Sequence, residues 1–313
     1  MTAEWKSQRE RSTAFMLRVL VRAAFLVGRR VMRWLMWPVA AYFWLTHPAA
    51  RKASLAYLGR VEPRRRAGAA RVIRHFHTFA SVAVDRLYLL SGRTAGLELR
   101  TQYGPGAREQ LMSGRGCLLI VAHYGSFESL RVPAVRRRQR SIRIVLDRQV
   151  GRMALALFDE LDRELAAGII DASRPGPEVM LNVKHALDAG DIVGIMADRA
   201  RSDERAAVVD FLGGKVRMPA GPWLIAATLQ VPVVLGFGAL HGDRLYECSL
   251  ELFAERVELP RETRETALRE VMQRYAHRLE QAVRAAPYNW FNFYDYWMTD
   301  EELSSHVRLA ARH

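Results

Sequence analysis

His123 and Glu128, in the stretch CLLIVAHYGSFESL, are the pair whose types and spacing could do acid–base chemistry. A carboxylate on one ring nitrogen fixes an imidazole's tautomer and leaves the other nitrogen as a general base. The spacing H-x4-[DE] is weak alone, because a chain with nine histidines and 33 acidic residues meets it by chance. Position says more. Cys117–Ala122 is a continuous apolar run, the signature of a strand buried on both faces. His123 then stands at the strand's carboxyl end, where open α/β sheets bind ligands. Gly125 permits a tight turn, and Ser126 can cap the following helix. Residues five apart point about 140° away from each other on one helix. A loop-to-helix turn can instead fold Glu128 back onto the imidazole. The plainer readings are a first-turn acid stabilised by the helix dipole and a satisfied core histidine. No nucleophile accompanies the pair, since GxSxG is absent and Ser126 and Ser129 lie in no such elbow. The base therefore suits a substrate hydroxyl better than an enzyme serine. His75 and His77, in RHFH, look like two sides of a helix without further ligands, which argues against a metal.

The elements that must position this pair alternate. Short apolar runs at 97–100, 117–122, 142–146, 169–170, 192–197, 208–211, 232–237 and 245–252 are separated by helical windows at 106–112, 126–137, 151–166, 177–188 and 220–230. A helix near 262–285 and an aromatic tail, PYNWFNFYDYW at 287–297, follow. Such alternation predicts an α/β fold with a mostly parallel central sheet flanked by helices. The tail either packs on the sheet and the N-terminal helices or walls a substrate channel. Two cysteines without a CxxC partner, Cys117 and Cys248, exclude a disulfide framework or zinc ribbon and fit a reducing compartment.

The net charge of +14 is concentrated at one end. Residues 1–74 carry sixteen Lys and Arg against Glu4, Glu10 and Glu62, which leaves the remainder nearly neutral. An anionic surface meets this end first. Phe15 to Leu45 is apolar but dotted with arginines, of which Arg18, Arg22, Arg29 and Arg33 recur at spacings of four and seven along one helical face. The longest uncharged run, Trp34 to Ala50, is short of the ~20 residues a spanning helix needs and contains Pro38 and Pro48. With Trp34, Trp37, Tyr42, Phe43 and Trp44 at headgroup-favouring positions, an amphipathic helix lying in a membrane interface explains the pattern best. A helix packed on the protein's own core is the plainer alternative. No signal-peptide cleavage site follows a simple apolar region. The wide apolar face and the near-neutral remainder exclude nucleic acid as a partner. The layout is a helical membrane-associating platform over 1–92 and an α/β domain with its aromatic tail over 93–313. Further helical patterns at 48–59 and 63–90 complete the platform.

The stretch AHYGSFE resembles the H-x4-[DE] motif of the bacterial lipid A late acyltransferases, within the wider glycerolipid and lysophospholipid acyltransferase group. VLDRQV, ALDAGDIVGIMADR and VDFLGGKVRMPAGPWLIAATLQVPVV fall in the order that family shows, and the resemblance covers most of residues 15–297. It implies an O-acyltransferase that moves a fatty acyl chain from acyl carrier protein or acyl-CoA to a hydroxyl of a lipid or glycolipid. It implies no metal or other cofactor. His123 would be the base, Glu128 its orienting partner, and Arg148, Asp198, Arg199 and Gly221 substrate-proximal. Arg199 departs from the glutamine common after that aspartate. The tail departs from the shorter basic-aromatic ending of lipid A enzymes, which leaves the acceptor open. The implied partners are membrane lipids, the lipid acceptor and an acyl carrier protein. Arg136, Arg137, Arg138, Arg140 and Arg143 dock that acidic protein, bind the phosphopantetheine phosphate of the thioester, or form a solvated loop. The implied place is the cytoplasmic face of the bacterial inner membrane, held peripherally or by a single N-terminal span. The rival from another class is a non-catalytic basic protein with the same fold that only binds the membrane surface.

Overall fold

The computed structural model describes residues 21–66, 68–136, 141–148, 152–201, 204–299 and 301–303. The expectations resting on Phe15, Arg18, Arg137, Arg138 and Arg140, and on the side chain of Arg136, lie outside the described residues. A helical stretch at 21–27 is followed by three helices: α1 (Arg29–Thr46), α2 (Pro48–Val61) and α3 (Ala69–Leu90). The third starts six residues later than its apolar pattern, because residues 63–65 form a turn instead.

Strands and helices then alternate in the predicted manner: β1 (Glu98–Tyr103), α4 (Ala107–Met112), β2 (Cys117–Val121), α5 (Phe127–Arg136), β3 (Ile142–Leu146), α6 (Arg152–Leu161), α7 (Arg163–Ala167) and β4 (Ile169–Asp171). They continue through α8 (Gly176–Asp188), β5 (Ile192–Met196), β6 (Ala206–Phe211), β7 (Gly214–Pro219), α9 (Gly221–Leu229), β8 (Val233–His241), β9 (Leu245–Ala254) and α10 (Arg264–Ala285). The single helix expected over 151–166 breaks at Asp162, whose carboxylate caps the Leu165 N–H at 2.9 Å and restarts it as α7. An additional strand, β7, pairs antiparallel with β6 as a separate hairpin.

The main sheet has seven strands in the order β1-β9-β8-β2-β5-β3-β4, and only the β8–β9 pair is antiparallel. Every residue of β2 is buried, as its unbroken apolar run requires. The platform is not a separate layer. Tyr57, Leu58 and Val61 of α2 and Val72 and Phe76 of α3 share one apolar core with Leu118, Trp223 and Trp290.

Helix α1 reverses the orientation its arginine stripe suggests. Arg29 and Arg33 point inward onto the fully buried Asp85 of α3, with Arg29 forked across both carboxylate oxygens at 2.7 and 2.8 Å. Asp85 also accepts the Tyr246 hydroxyl at 2.9 Å, and Arg33 reaches the Gly242 carbonyl. The opposite face carries Val31, Trp34, Leu35, Tyr42 and Leu45, a stripe at spacings of three, four and seven, with Trp34 75% and Leu45 66% exposed. A soluble helix would turn that stripe inward. Here two arginines take the core position because Asp85 pairs with both and Asp243 lies 3.7 Å from Arg33, and the apolar stripe is left facing out. Among the described residues, no helix is long and apolar enough to cross a membrane, so a single-span anchor has no support there.

Candidate active site

Register decides which acid meets His123. Strands β2 and β5 run parallel with Val121 opposite Met196, so two residues further on His123 stands level with Asp198. The Asp198 carboxylate takes the imidazole through His123 Nδ1–H at 2.9 Å and the His123 backbone N–H at 3.1 Å. Glu128 does not fold back onto the ring. Its carboxylate is buried against Arg86, with 2.7 Å between Arg86 Nε and Oε1, and accepts the Ser126 hydroxyl at 2.8 Å. It therefore holds the turn that follows His123, and the position opposite the imidazole belongs to Asp198.

With Nδ1 engaged as a donor, the His123 lone pair sits on Nε2, and the side chain remains about one-third exposed at 36%. Asp198 is fully buried. Burial opposes its ionisation, but the His123 imidazole, Arg199 and the Trp290 N–H outweigh that cost and hold the carboxyl at about 2. The arrangement is a buried anion presenting an accessible base to solvent.

The turn beyond His123 is pressed against β8. Gly125 adopts φ of +56°, and a Cβ there would lie 1.8 Å from the Gly238 carbonyl oxygen. Only glycine meets both conditions. Ser126 accepts the Ser129 N–H at 3.3 Å, as a cap of α5. The backbone N–H groups of Tyr124, Gly125 and Ser126 donate to Ala122, Asn289 and Gly238 carbonyls, and that of His123 to Asp198. None of these four is open to a substrate oxyanion.

The aromatic tail supplies what sequence reasoning missed. Trp290 Nε1–H donates to Asp198 Oδ2 at 3.0 Å, and the Tyr296 hydroxyl donates to the Asp198 carbonyl. Phe291 N–H donates to the His123 carbonyl at 3.0 Å. Arg199 lies 3.8 Å from the Asp198 carboxylate, donates to the Phe291 carbonyl and stacks over the Tyr294 ring. Seven aromatics in eleven residues were the available signal, but nothing in their spacing named Asp198 as the acceptor.

Arg148 and Gly221 make no hydrogen bond or ion pair with either member of this pair. Arg148 follows β3, two strands from β2, and lines a cleft of about 530 Å³ with Arg143, Asp171, Arg174, Glu178 and His185. Its backbone N–H donates to Asp171 at 3.4 Å. Arg143 is paired with Asp191 at 2.6 Å rather than standing free in a loop. Gly221 opens the first turn of α9. His75 and His77 share no ligand set: His75 is bonded to Ser54 and the Trp290 carbonyl, His77 to the Arg33 carbonyl.

No curated protein matches the chain significantly. A buried acid orienting an accessible histidine at the carboxyl end of a central parallel strand is an arrangement suited to activating a hydroxyl, and it lies within residues 107–299, which match the model of the bacterial lipid A biosynthesis acyltransferase family. The chain belongs to the bacterial lipid A biosynthesis acyltransferases.

Proposed function

We propose that the protein transfers a fatty acyl chain from a thioester, carried by acyl carrier protein or CoA, to a hydroxyl of a lipid or glycolipid acceptor at a membrane surface. His123 Nε2 removes the acceptor's hydroxyl proton as its oxygen attacks the thioester carbonyl. The tetrahedral intermediate collapses with breakage of the C–S bond, and the departing thiolate takes the proton back from the imidazolium. The ester and the free thiol are the products. With the four backbone donors of 123–126 already engaged, stabilisation of the oxyanion falls to positive side chains, of which Arg199 stands beside the pair. The observation that carries this reading is the His123 imidazole held by Asp198 through Nδ1, with its side chain about one-third exposed. Arg148 and Gly221 keep a substrate-proximal role in the proposal, and the arginines at 136–140 that of docking an acidic carrier protein.

The experiment is lipid mass spectrometry on cells with the protein, without it, and with its His123→Ala variant. A lipid heavier by one esterified acyl chain should appear only with the unaltered protein, and its mass identifies the acceptor. Absence of any such lipid would favour a membrane-binding protein without catalysis.

Attachment at the cytoplasmic face of the inner membrane is proposed to be peripheral, through the outward stripe of α1. A large apolar side chain fully buried in lipid contributes about 1.5–3 kcal/mol, against roughly 1 kcal/mol for each basic residue at an anionic surface. The apolar term dominates. Washing membranes with 1 M salt should leave most of the protein in the pellet, and mild detergent should release it. Trp34→Asp with Leu45→Asp should move it to the supernatant at low salt. Release of the unaltered chain by salt alone would mean that the stripe is not in lipid.

A further inference from the structure

Trp290 is fully buried and ringed by aromatics, with Phe211 at 5.1 Å, Tyr296 at 4.9 Å and Tyr57 at 5.2 Å between ring centroids. Packing of this kind needs the ring but not its N–H. That N–H is spent on Asp198, at the oxygen that also receives the His123 backbone N–H. The Trp290 backbone is held as well. His75 Nε2–H donates to the Trp290 carbonyl at 2.9 Å, and His75 Nδ1 accepts the Ser54 hydroxyl at 2.8 Å. Burial lowers His75 to about 4, so the ring stays neutral and keeps one donor and one acceptor. Ser54 on α2 and His75 on α3 thus fix the Trp290 backbone, while its indole fixes the carboxylate of the Asp198–His123 pair.

The geometry points to Trp290 as a positioning residue for acyl transfer, its indole N–H fixing the charge and orientation of the carboxylate that holds His123. The inference rests on His123 and Asp198 being the working pair. Asp198 is faced by His123 from β2, by its neighbour Arg199, by Tyr275 from α10, and by Trp290, Tyr294 and Tyr296 from the tail. Of these, Trp290 can lose its donor without any change in net charge. The sign follows. A carboxylate deprived of that donor keeps more negative charge for the imidazole, which favours the imidazolium, so His123 should titrate at higher pH.

The test uses the full chain in detergent micelles with isotope-labelled histidine, His123 signals being assigned by their loss in His123→Ala. In Trp290→Phe the titration midpoint of His123 should rise by about half to one pH unit, since a donor to a charged group is removed. The acid limb of thioester turnover, read with palmitoyl-CoA as probe, should move with it. Tyr296→Phe should leave the midpoint in place, because that hydroxyl donates to the Asp198 backbone carbonyl and not to its carboxylate. Benzothienylalanine at position 290 keeps the shape of the ring without the N–H, and should reproduce the rise if phenylalanine disturbs the fold. An unmoved midpoint in the 290 variants would overturn the inference and leave Trp290 as packing alone. The resonance readout needs no turnover, so a lack of acyl transfer in every sample would strike the functional reading separately.

Discussion

Asp198→Asn should lower acyl transfer by about 10³–10⁴-fold, close to the loss expected from His123→Ala, with little change in fold or in donor KM. The size of the effect comes from the tautomer. Asp198 Oδ2 receives two donors, the His123 backbone N–H and the Trp290 indole, whereas Oδ1 receives only the imidazole. An asparagine there turns its carbonyl toward the two donors, so its NH₂ faces Nδ1. The imidazole then accepts at Nδ1 and carries its proton on Nε2, where the base is needed. A comparable replacement in serine proteases costs about 10⁴-fold for the same reason, equivalent to about 5.5 kcal/mol of barrier. Glu128→Gln should cost less than ten-fold, because it loses the ion pair with Arg86 but keeps an amide oxygen to accept from Ser126 and leaves the Asp198–His123 bond untouched. Rates measured on purified variants with one donor and one acceptor check the order. A nearly active Asp198→Asn beside an inactive Glu128→Gln would return the orienting role to Glu128.

Chain proximity explains why the wrong acid stands out in the sequence. Glu128 is five residues from His123, whereas Asp198 is 75 away and becomes its neighbour only through the register of β2 against β5. Each strand is legible by itself: CLLIV and IVGIM are apolar runs that end just before His123 and Asp198. Their pairing is a non-local fact that periodicity does not carry. The same limit hid the tail, whose aromatics announce burial but whose indole and hydroxyl partners lie about 90 residues upstream. Strand β7 was illegible for a local reason, since GKVRMP contains Gly, Lys, Arg and Pro, all poor signals of a strand. The arginine stripe of α1 was visible as a stripe, but its direction was not. A run of arginines reads as solvated unless a buried acid is known to wait for it, and Asp85 sits on another helix.

That acid governs the second large effect, on stability. Asp85→Ala should lower the unfolding free energy by about 3–5 kcal/mol, the usual cost of removing one partner from a buried ion pair. Arg29 and Arg33, with side chains only 9% and 8% exposed, would lose their buried counter-charge, leaving Arg33 only the exposed Asp243 at 3.7 Å, and the Tyr246 hydroxyl would lose its acceptor. The arginines can leave only by swinging α1 away from α3, which takes Trp37 off the His77 ring and opens the apolar contact beneath it. Limited proteolysis should therefore cut between α1 and α2 before the α/β core is attacked, and the outward stripe should lose its rigid backing. Removing all three charges together separates pairing from packing. Asp85→Leu with Arg29→Met and Arg33→Met leaves no unpaired ion, and such replacements are often neutral or stabilising, so its denaturation midpoint should lie well above that of Asp85→Ala. A single Asp85→Ala variant within 1 kcal/mol of the unaltered protein would mean that packing, not the buried carboxylate, docks α1 on the fold.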